Sequence, residues 1–377
     1  MKAEADSRAL WLVRLPQAFT GLEAEILHGL GAECVRKTGR DYLLIRIADP
    51  SRIRDSAAAK FLRWNLPVHH MWPCRPRETA GFIEKAAQAA WRKFGGARPQ
   101  TLLAGPLDPG SPNRYFKTLA SNLRGRALQL FPPECSSIRD AEQQDAGRET
   151  LFLLVGEEGL FCGLGSPLEC NGYHPGGTRH IRQTSPAAIS RAGAKIAEAL
   201  HHPALRDVMP EAGAHWLELG ASPGGMTAEL LARGYRVTAV DRAPLDKRLA
   251  RADGLQEVCR DVATFMPDAP TRYDAILCDM NGDARNSIAH VVRLAGRLNA
   301  GGIVIFTLKL TDAETYQAIN DRVDEVVNRA AAAGLGQLAV THLTYNRHEF
   351  TLVLKRGTSP CDDFGFPDHA GGGSIGP

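Results

Sequence analysis

Two lysines and two carboxylates of this 377-residue chain fall where an α/β sheet would put reacting groups. The apolar run Ala275–Cys278 ends in Asp279, and Gly302–Thr307 leads to Leu308-Lys309-Leu310. Strand ends on the carboxyl side of such a sheet face the ligand crevice, so Asp279 and Lys309 are expected to converge there. Glu349 opens the run Glu349–Leu354, which follows Gln337–Thr344 through Tyr345-Asn346-Arg347-His348. At the edge of the sheet and antiparallel, that strand would carry Glu349 to the same rim. Lys195 lies on an expected helix, Ile189–Leu200, packed beside the first strand. Two ammonium groups beside two carboxylates suit a hydroxyl acceptor and not an exocyclic amine.

Upstream stands the turn Gly220-Ala221-Ser222-Pro223-Gly224-Gly225. An apolar strand, His215–Leu219, precedes it, and a helix from Met226 to Ala232 follows. Glycines in such a turn let backbone approach a ligand with no Cβ in the way, and the helix N-terminus offers free N–H groups to an anion. The spacing GxxxGG of Gly220, Gly224 and Gly225 differs from the GxGxxG of dinucleotide folds. Asp241 ends the next strand, about 20 residues on, the usual reach to a ribose hydroxyl pair. Asp261 follows the strand Glu257–Arg260 and is placed to accept from an adenine amino group. Acids at two successive strand ends favour S-adenosylmethionine over a nicotinamide dinucleotide.

The elements that must position these groups begin at about Pro186, where helix and strand alternate regularly as far as Lys355. Before that, Leu10–Leu15, Phe19–Leu30, Glu33–Lys37, Tyr42–Ile47, Ser51–Arg63 and Pro67–Trp72 read as βαββαβ, a ferredoxin-like order. Ala80–Phe94 reads as a helix and Thr101–Ala104 as a strand. Arg114–Phe131 is a basic helix carrying Arg114, Lys117, Arg124 and Arg126 with Tyr115 and Phe116. A hairpin is expected over 151–164. The basic helix is read either as a solvated face or as a surface for RNA phosphates. Asn171–Ser185 reads as a linker, or as a groove lined by Arg179, His180 and Arg182. The Gly/Pro-rich stretch 357–377 reads as a disordered tail.

Composition is that of a soluble globular protein, with 44% hydrophobic and 23% charged residues and a net charge of only +3. Eight cysteines are scattered without a CxxC pair, which disfavours a zinc ribbon or redox motif and fits reduced thiols in a cytoplasmic protein. No apolar run approaches the roughly 20 residues needed to span a bilayer, and no signal core opens the chain. No metal and no obligatory protein partner are expected.

Ser190-Arg191-Ala192-Gly193-Ala194-Lys195, Leu219–Gly225, Cys278-Asp279-Met280, Leu308-Lys309-Leu310 and Arg347-His348-Glu349 occur in an order and spacing that resemble the FtsJ-like ribose 2′-O-methyltransferases, and among them the RlmM-type branch. The resemblance covers about Thr178 to Arg356. It implies a Lys-Asp-Lys-Glu tetrad of Lys195, Asp279, Lys309 and Glu349, with Lys309 as proton acceptor for the 2′-hydroxyl. Lys195 and desolvation are expected to lower the pKa of Lys309 so that it acts neutral, with Asp279 as an orienting group. Ser190, Gly220, Ser222, Pro223, Gly224, Gly225, Asp241, Asp261 and Asp279 are implied to contact S-adenosylmethionine. The implied fold is a Rossmann-like seven-stranded class I methyltransferase domain (171–356), preceded by a ferredoxin-like domain (1–76) and a THUMP-like RNA-binding module (77–170). The implied substrate is a cytidine of 23S rRNA. The competing readings are an RNA-binding protein with an inactive methyltransferase domain and a methyltransferase of another RNA such as tRNA.

Overall fold

Strands β1 (Ala9–Arg14), β2 (Ala32–Thr38), β3 (Tyr42–Ile47) and β4 (Trp64–Pro67) pair antiparallel in the order β2-β3-β1-β4. This is the strand order of a ferredoxin-like βαββαβ unit. The computed structural model describes residues 8–108, 114–135, 145–172, 189–311 and 313–357. Helix α1 (Glu23–Leu30) follows a 3₁₀ turn over Gln17–Leu22 and stops at Gly31, whose φ of 65° makes a left-handed cap. The expected helix over Ser51–Arg63 is instead a single turn, α2 (Arg52–Asp55), and a 3₁₀ turn at Ala59–Phe61. The Ser56 hydroxyl donates to the Arg52 carbonyl at 2.6 Å, sharing it with the Ser56 N–H at 3.3 Å, and the Ser56 backbone turns extended, which ends the helix there.

The expected strand Pro67–Trp72 is divided between two sheets. β4 closes the first, and β5 (His70–Pro73) joins β6 (Thr101–Pro106), β7 (Thr150–Gly156) and β8 (Gly159–Gly165) in the order β5-β8-β7-β6. The two sheets approach so closely that a Cβ on Gly163 would lie 2.0 Å from the Pro67 carbonyl oxygen. Helices α3 (Phe82–Phe94) and α4 (Arg114–Leu130) cover the second sheet, burying Phe82, Ala86, Phe94, Phe116 and Leu123. Arg126 binds Glu84 at 2.6 Å across these helices, and Phe116 is in the core, so part of the basic helix is structural. Arg179, His180 and Arg182 and the stretch 358–377 lie outside the described residues.

The remaining chain runs α5 (Ala192–Leu200), β9 (His215–Leu219), α6 (Gly225–Ala232), β10 (Arg236–Asp241), β11 (Leu255–Cys259) and β12 (Tyr273–Cys278). It continues through α7 (Ala284–Leu294), β13 (Leu298–Lys309), α8 (Tyr316–Ala331), β14 (Leu335–Thr341) and β15 (Glu349–Arg356). These strands form a seven-stranded sheet ordered β11-β10-β9-β12-β13-β15-β14. All neighbours are parallel except those of β15, which is antiparallel to both β13 and β14. β15 is therefore interior, and the expectation that Glu349 opens an edge strand is corrected: β14 holds the edge. The order reverses between β9 and β12, the crevice where α/β sheets bind ligands.

One face of this sheet shares its apolar core with the first sheet. Val13, Phe19, Ile26 and Ile45 pack in the same cluster as Leu219, Val304, Phe306 and Phe350. Phe19 is wholly buried and stacks on Phe350 at 5.2 Å between ring centroids. It also meets Phe61 edge-on at 5.1 Å. Truncation there removes contacts from both sides of the junction and leaves a cavity that neither can fill. Phe19→Ala is expected to cost about 3–5 kcal/mol, read as a lowered midpoint in urea unfolding.

Candidate active site

The rim of the large sheet gathers charge in a closed alternation. Lys195 Nζ lies 3.1 Å from Asp279 and 2.8 Å from Glu349. Lys309 Nζ lies 3.0 Å from Asp279 and 2.6 Å from Glu349. Each ammonium thus touches both carboxylates, and each carboxylate both ammonium groups. Four separate elements supply the ring. Asp279 directly follows β12, Lys309 ends β13, Glu349 begins β15, and Lys195 projects from α5. Lys309 and Glu349 are direct partners in the antiparallel register of β13 and β15. Side-chain exposures of 8–17% leave the group sunk in the surface but reachable.

The charge state differs from expectation. Burial works to lower the pKa of Lys309, but Asp279 and Glu349 at hydrogen-bond distance outweigh it, and the net shift is upward. Lys309 therefore rests as an ammonium. The expectation that Lys195 and desolvation would make it neutral is corrected, because Asp279 and Glu349 both lie within hydrogen-bond distance of Lys309 and Glu349 faces it in the strand register. Glu349 answers in kind: burial opposes its ionisation, yet Lys195, Lys309 and Asn346 hold its pKa down to about 2.

Beside the ring opens a cavity of about 400 Å³. Its floor is the turn after β9, with Gly220, Ser222, Pro223 and Gly225 lining it, and Ser190 closes one side. Asp241, Asp261 and Asp279, from three strand ends, face into it. Gly224 caps α6 with φ 101°, a left-handed conformation that favours glycine, and does not itself line the space. Gly225 is needed for clearance, since a Cβ there would sit 2.0 Å from Ser190 Oγ and 3.1 Å from Ser190 Cβ. Asp241 accepts from the Ser222 N–H at 3.0 Å through one oxygen and from the Ala243 N–H at 2.9 Å through the other. Those bonds fix its plane and leave further lone pairs for a ligand.

Sequence reasoning missed Glu218. It sits inside β9, is 3% exposed, and also lines the cavity. Thr227 donates its hydroxyl to Glu218 at 2.7 Å, tying the strand to the first turn of α6. Burial nevertheless pushes its pKa up to about 8. An acid in the middle of the apolar run His215–Leu219 was the available signal. Among the described residues no group of three or more His, Cys, Asp or Glu could hold a metal ion, and no helix is long and apolar enough to cross a membrane.

A family model, FtsJ-like methyltransferase, matches residues 188–327. Ribosomal RNA large subunit methyltransferase M of Thauera aminoaromatica is 33% identical over 305 residues, 79% of each chain. The chain belongs to the FtsJ-like methyltransferases, in the family of ribosomal RNA large subunit methyltransferase M. The relative of the same name from Halorhodospira halophila is 32% identical over 57% of this chain and 60% of its own. Among solved structures, TrmN from Thermus thermophilus aligns with 92% of this chain and 99% of its own at 15% identity, with a TM-score of 0.35.

Two outcomes follow from the geometry. Gly225→Ala must displace Ser190 or the start of α5, and affinity for S-adenosylmethionine measured by calorimetry is expected to fall at least about tenfold. Glu218 has a folded pKa above its ordinary value, so its contribution to stability is fully present below about 4.5 and is lost as pH rises through about 8. Glu218→Gln keeps an acceptor for Thr227 without the titration. It is expected to melt several degrees above the parent at pH above 8, with the advantage shrinking toward pH 5.

Proposed function

We propose that this protein is an S-adenosylmethionine-dependent methyltransferase of the ribose 2′-hydroxyl in RNA, acting on a cytidine of 23S rRNA. The alternating ring of Lys195, Asp279, Lys309 and Glu349 at the mouth of an acid-walled cavity carries the reading. Family membership supports the reaction, and the name shared by the relatives supports large-subunit rRNA as the substrate.

The residues present fit the cofactor. The cavity has the volume of a nucleoside site. Asp241 suits a ribose diol, Asp261 an adenine amino group, and the turn 220–225 with the N-terminus of α6 suits a carboxylate. Bound there, S-adenosylmethionine supplies an electrophilic methyl group on a positively charged sulfur. The chain's own task is to align a weakly acidic hydroxyl and to take its proton. Lys309 is the proton acceptor in this reading, and it can accept only after shedding the proton that Asp279 and Glu349 hold on it. Asp279 is the ring member that also lines the cavity, so a cation there competes with Lys309 for the same carboxylate. Relieved of that partner, Lys309, whose side chain is 17% exposed, would pass its proton to solvent water and fall toward the neutral amine. Lys195 keeps Glu349 and Asp279 paired while Lys309 cycles.

The segment 77–170 is assigned in the same reading to RNA binding. Arg77 stacks over Tyr115 at 4.7 Å and Phe116 at 5.3 Å, next to the exposed Lys117. A guanidinium on an aromatic ring is a surface suited to phosphates and unstacked bases.

Labelled S-adenosylmethionine and 23S rRNA lacking ribose methylation, digested with alkali after reaction, test the proposal. Label in an alkali-resistant dinucleotide containing cytidine is the expected result. Label in a base overturns ribose chemistry, label only in tRNA overturns the substrate, and no label favours an inactive domain. Lys309→Arg keeps the charge but cannot serve as a base near neutrality. It should lower kcat by at least about 100-fold with cofactor affinity unchanged.

A further inference from the structure

Glu349 depends on a short loop that no part of the tetrad motif describes. Asn346 is 6% exposed and donates to Glu349 Oε1 at 3.0 Å. Its own carbonyl oxygen accepts from the Leu343 N–H at 2.7 Å and from the Thr351 hydroxyl at 3.1 Å. The amide therefore has a fixed orientation and aims one N–H at the carboxylate. The loop is held from two directions. From the helix that carries Lys195, Glu198 accepts the Thr344 N–H at 2.8 Å and 2.9 Å with its two oxygens. From the residue directly before β4 of the first sheet, Arg63, 9% exposed, donates through Nη2 to the Leu343 carbonyl at 2.8 Å and to His342 Nδ1 at 2.7 Å.

That last contact fixes a tautomer. Arginine has no acceptor, so His342 Nδ1 must present its lone pair and Nε2 must carry the hydrogen. His342 Nε2 lies 2.8 Å from the Arg347 carbonyl, two residues before Glu349, and donates to it. Burial and the neighbouring guanidinium hold the imidazole neutral, with a pKa lowered to about 3. Arg63 thus reaches the start of the loop directly and its end through His342.

We propose that Asn346 and Arg63 are positioning residues for Glu349, and that the N-terminal sheet completes the active site by locking the loop 342–348. This rests on the methyltransferase reading above. Neither residue touches the reacting groups of Lys309 or the cavity. Each acts through the carboxylate that Lys309 must partner.

The test uses the full-length protein with Asn346→Ala, Arg63→Lys and the double variant. The Lys substitution keeps the charge and loses the fork. Trace acetylation with acetic anhydride at mildly alkaline pH, read by mass spectrometry, reports how strongly Lys309 is held as an ammonium without requiring turnover. In each single variant Lys309 labelling should rise severalfold, because a loosened Glu349 holds the proton less well. With rRNA, kcat should fall about tenfold while affinity for S-adenosylmethionine is unchanged, as expected for a misplaced group. The double variant should be no worse than the poorer single one, since both act through one loop. Unchanged Lys309 labelling in the single variants, or additive losses in the double, overturns the proposal. If Arg63→Lys lowers the melting point enough to prevent measurement, Asn346→Ala decides by its labelling alone. A parent protein that methylates no RNA sinks the methyltransferase reading and leaves the labelling result to judge the loop.

Discussion

A neutral ring of two cations and two anions is the constraint on which the rest of the active site depends. Two buried ammonium groups at one rim would repel each other, and two buried carboxylates would take up protons. Alternation removes both problems at once, because every charge has opposite neighbours within 3.1 Å. Such a group is costly to leave incomplete, since removing any member strands a partly buried charge. The fold must therefore deliver four side chains from four elements to one point. The antiparallel β15 makes that possible. The first residue of a parallel strand would lie at the opposite edge of the sheet from Asp279 and Lys309. Running β15 backwards between β13 and β14 puts its first residue, Glu349, opposite Lys309, the last residue of β13.

The same geometry explains why the N-terminal sheet is more than an appendage. Inserting β15 between β13 and β14 leaves the connection 342–348 at the carboxyl rim, next to the charged ring. A connection of that kind has unpaired backbone groups of its own to satisfy. Glu198, Arg63 and Asn346 satisfy them with side chains from three different parts of the chain. Phe19 and Phe61 cover the apolar side of the same corner by packing on Phe350. The core between the first sheet and the seven-stranded sheet is continuous, so the loop that carries Glu349 inherits its rigidity from both.

The parts legible in the sequence were those set by local chemistry. A glycine turn after an apolar strand, and acids or lysines at the ends of such strands, follow from short stretches read alone. They yielded the cavity floor and the rim positions of Asp241, Asp261, Asp279 and Lys309. What escaped depended on partners far along the chain. Ser51–Arg63 carries apolar residues at helical intervals and is the local exception: Ser56 turns extended with its hydroxyl donated to the Arg52 carbonyl, and the helix ends there. Pro67–Trp72 reads as one extended run, yet two sheets divide it. Arg63 and His342 meet across 279 positions, and no pattern in either neighbourhood announces the contact. The charge state of Lys309 escaped for a different reason. Both carboxylates were expected at the rim, but how closely each approaches the ammonium is set by strand register.

That correction changes how the site must work. A lysine that rests neutral could take a proton at any time, whether or not a methyl donor were present. A lysine held as an ammonium by two carboxylates cannot. Of the four ring members, Lys195, Lys309 and Glu349 are absent from the lining of the cavity, and Asp279 is part of it. Charge placed in the cavity therefore reaches Lys309 through Asp279. Each pKa unit that Lys309 loses corresponds to about 1.4 kcal/mol of interaction withdrawn from its ammonium form, a quantity that partial diversion of one buried carboxylate can supply. Glu349 cannot be diverted in this way, because Asn346 and Lys195 hold its other oxygen at 3.0 Å and 2.8 Å. The two carboxylates that look equivalent in the ring are thus unequal in freedom. One is fixed by the fold to keep the lysines in place, and the other is open to the cavity, where a positive charge would draw it away from Lys309.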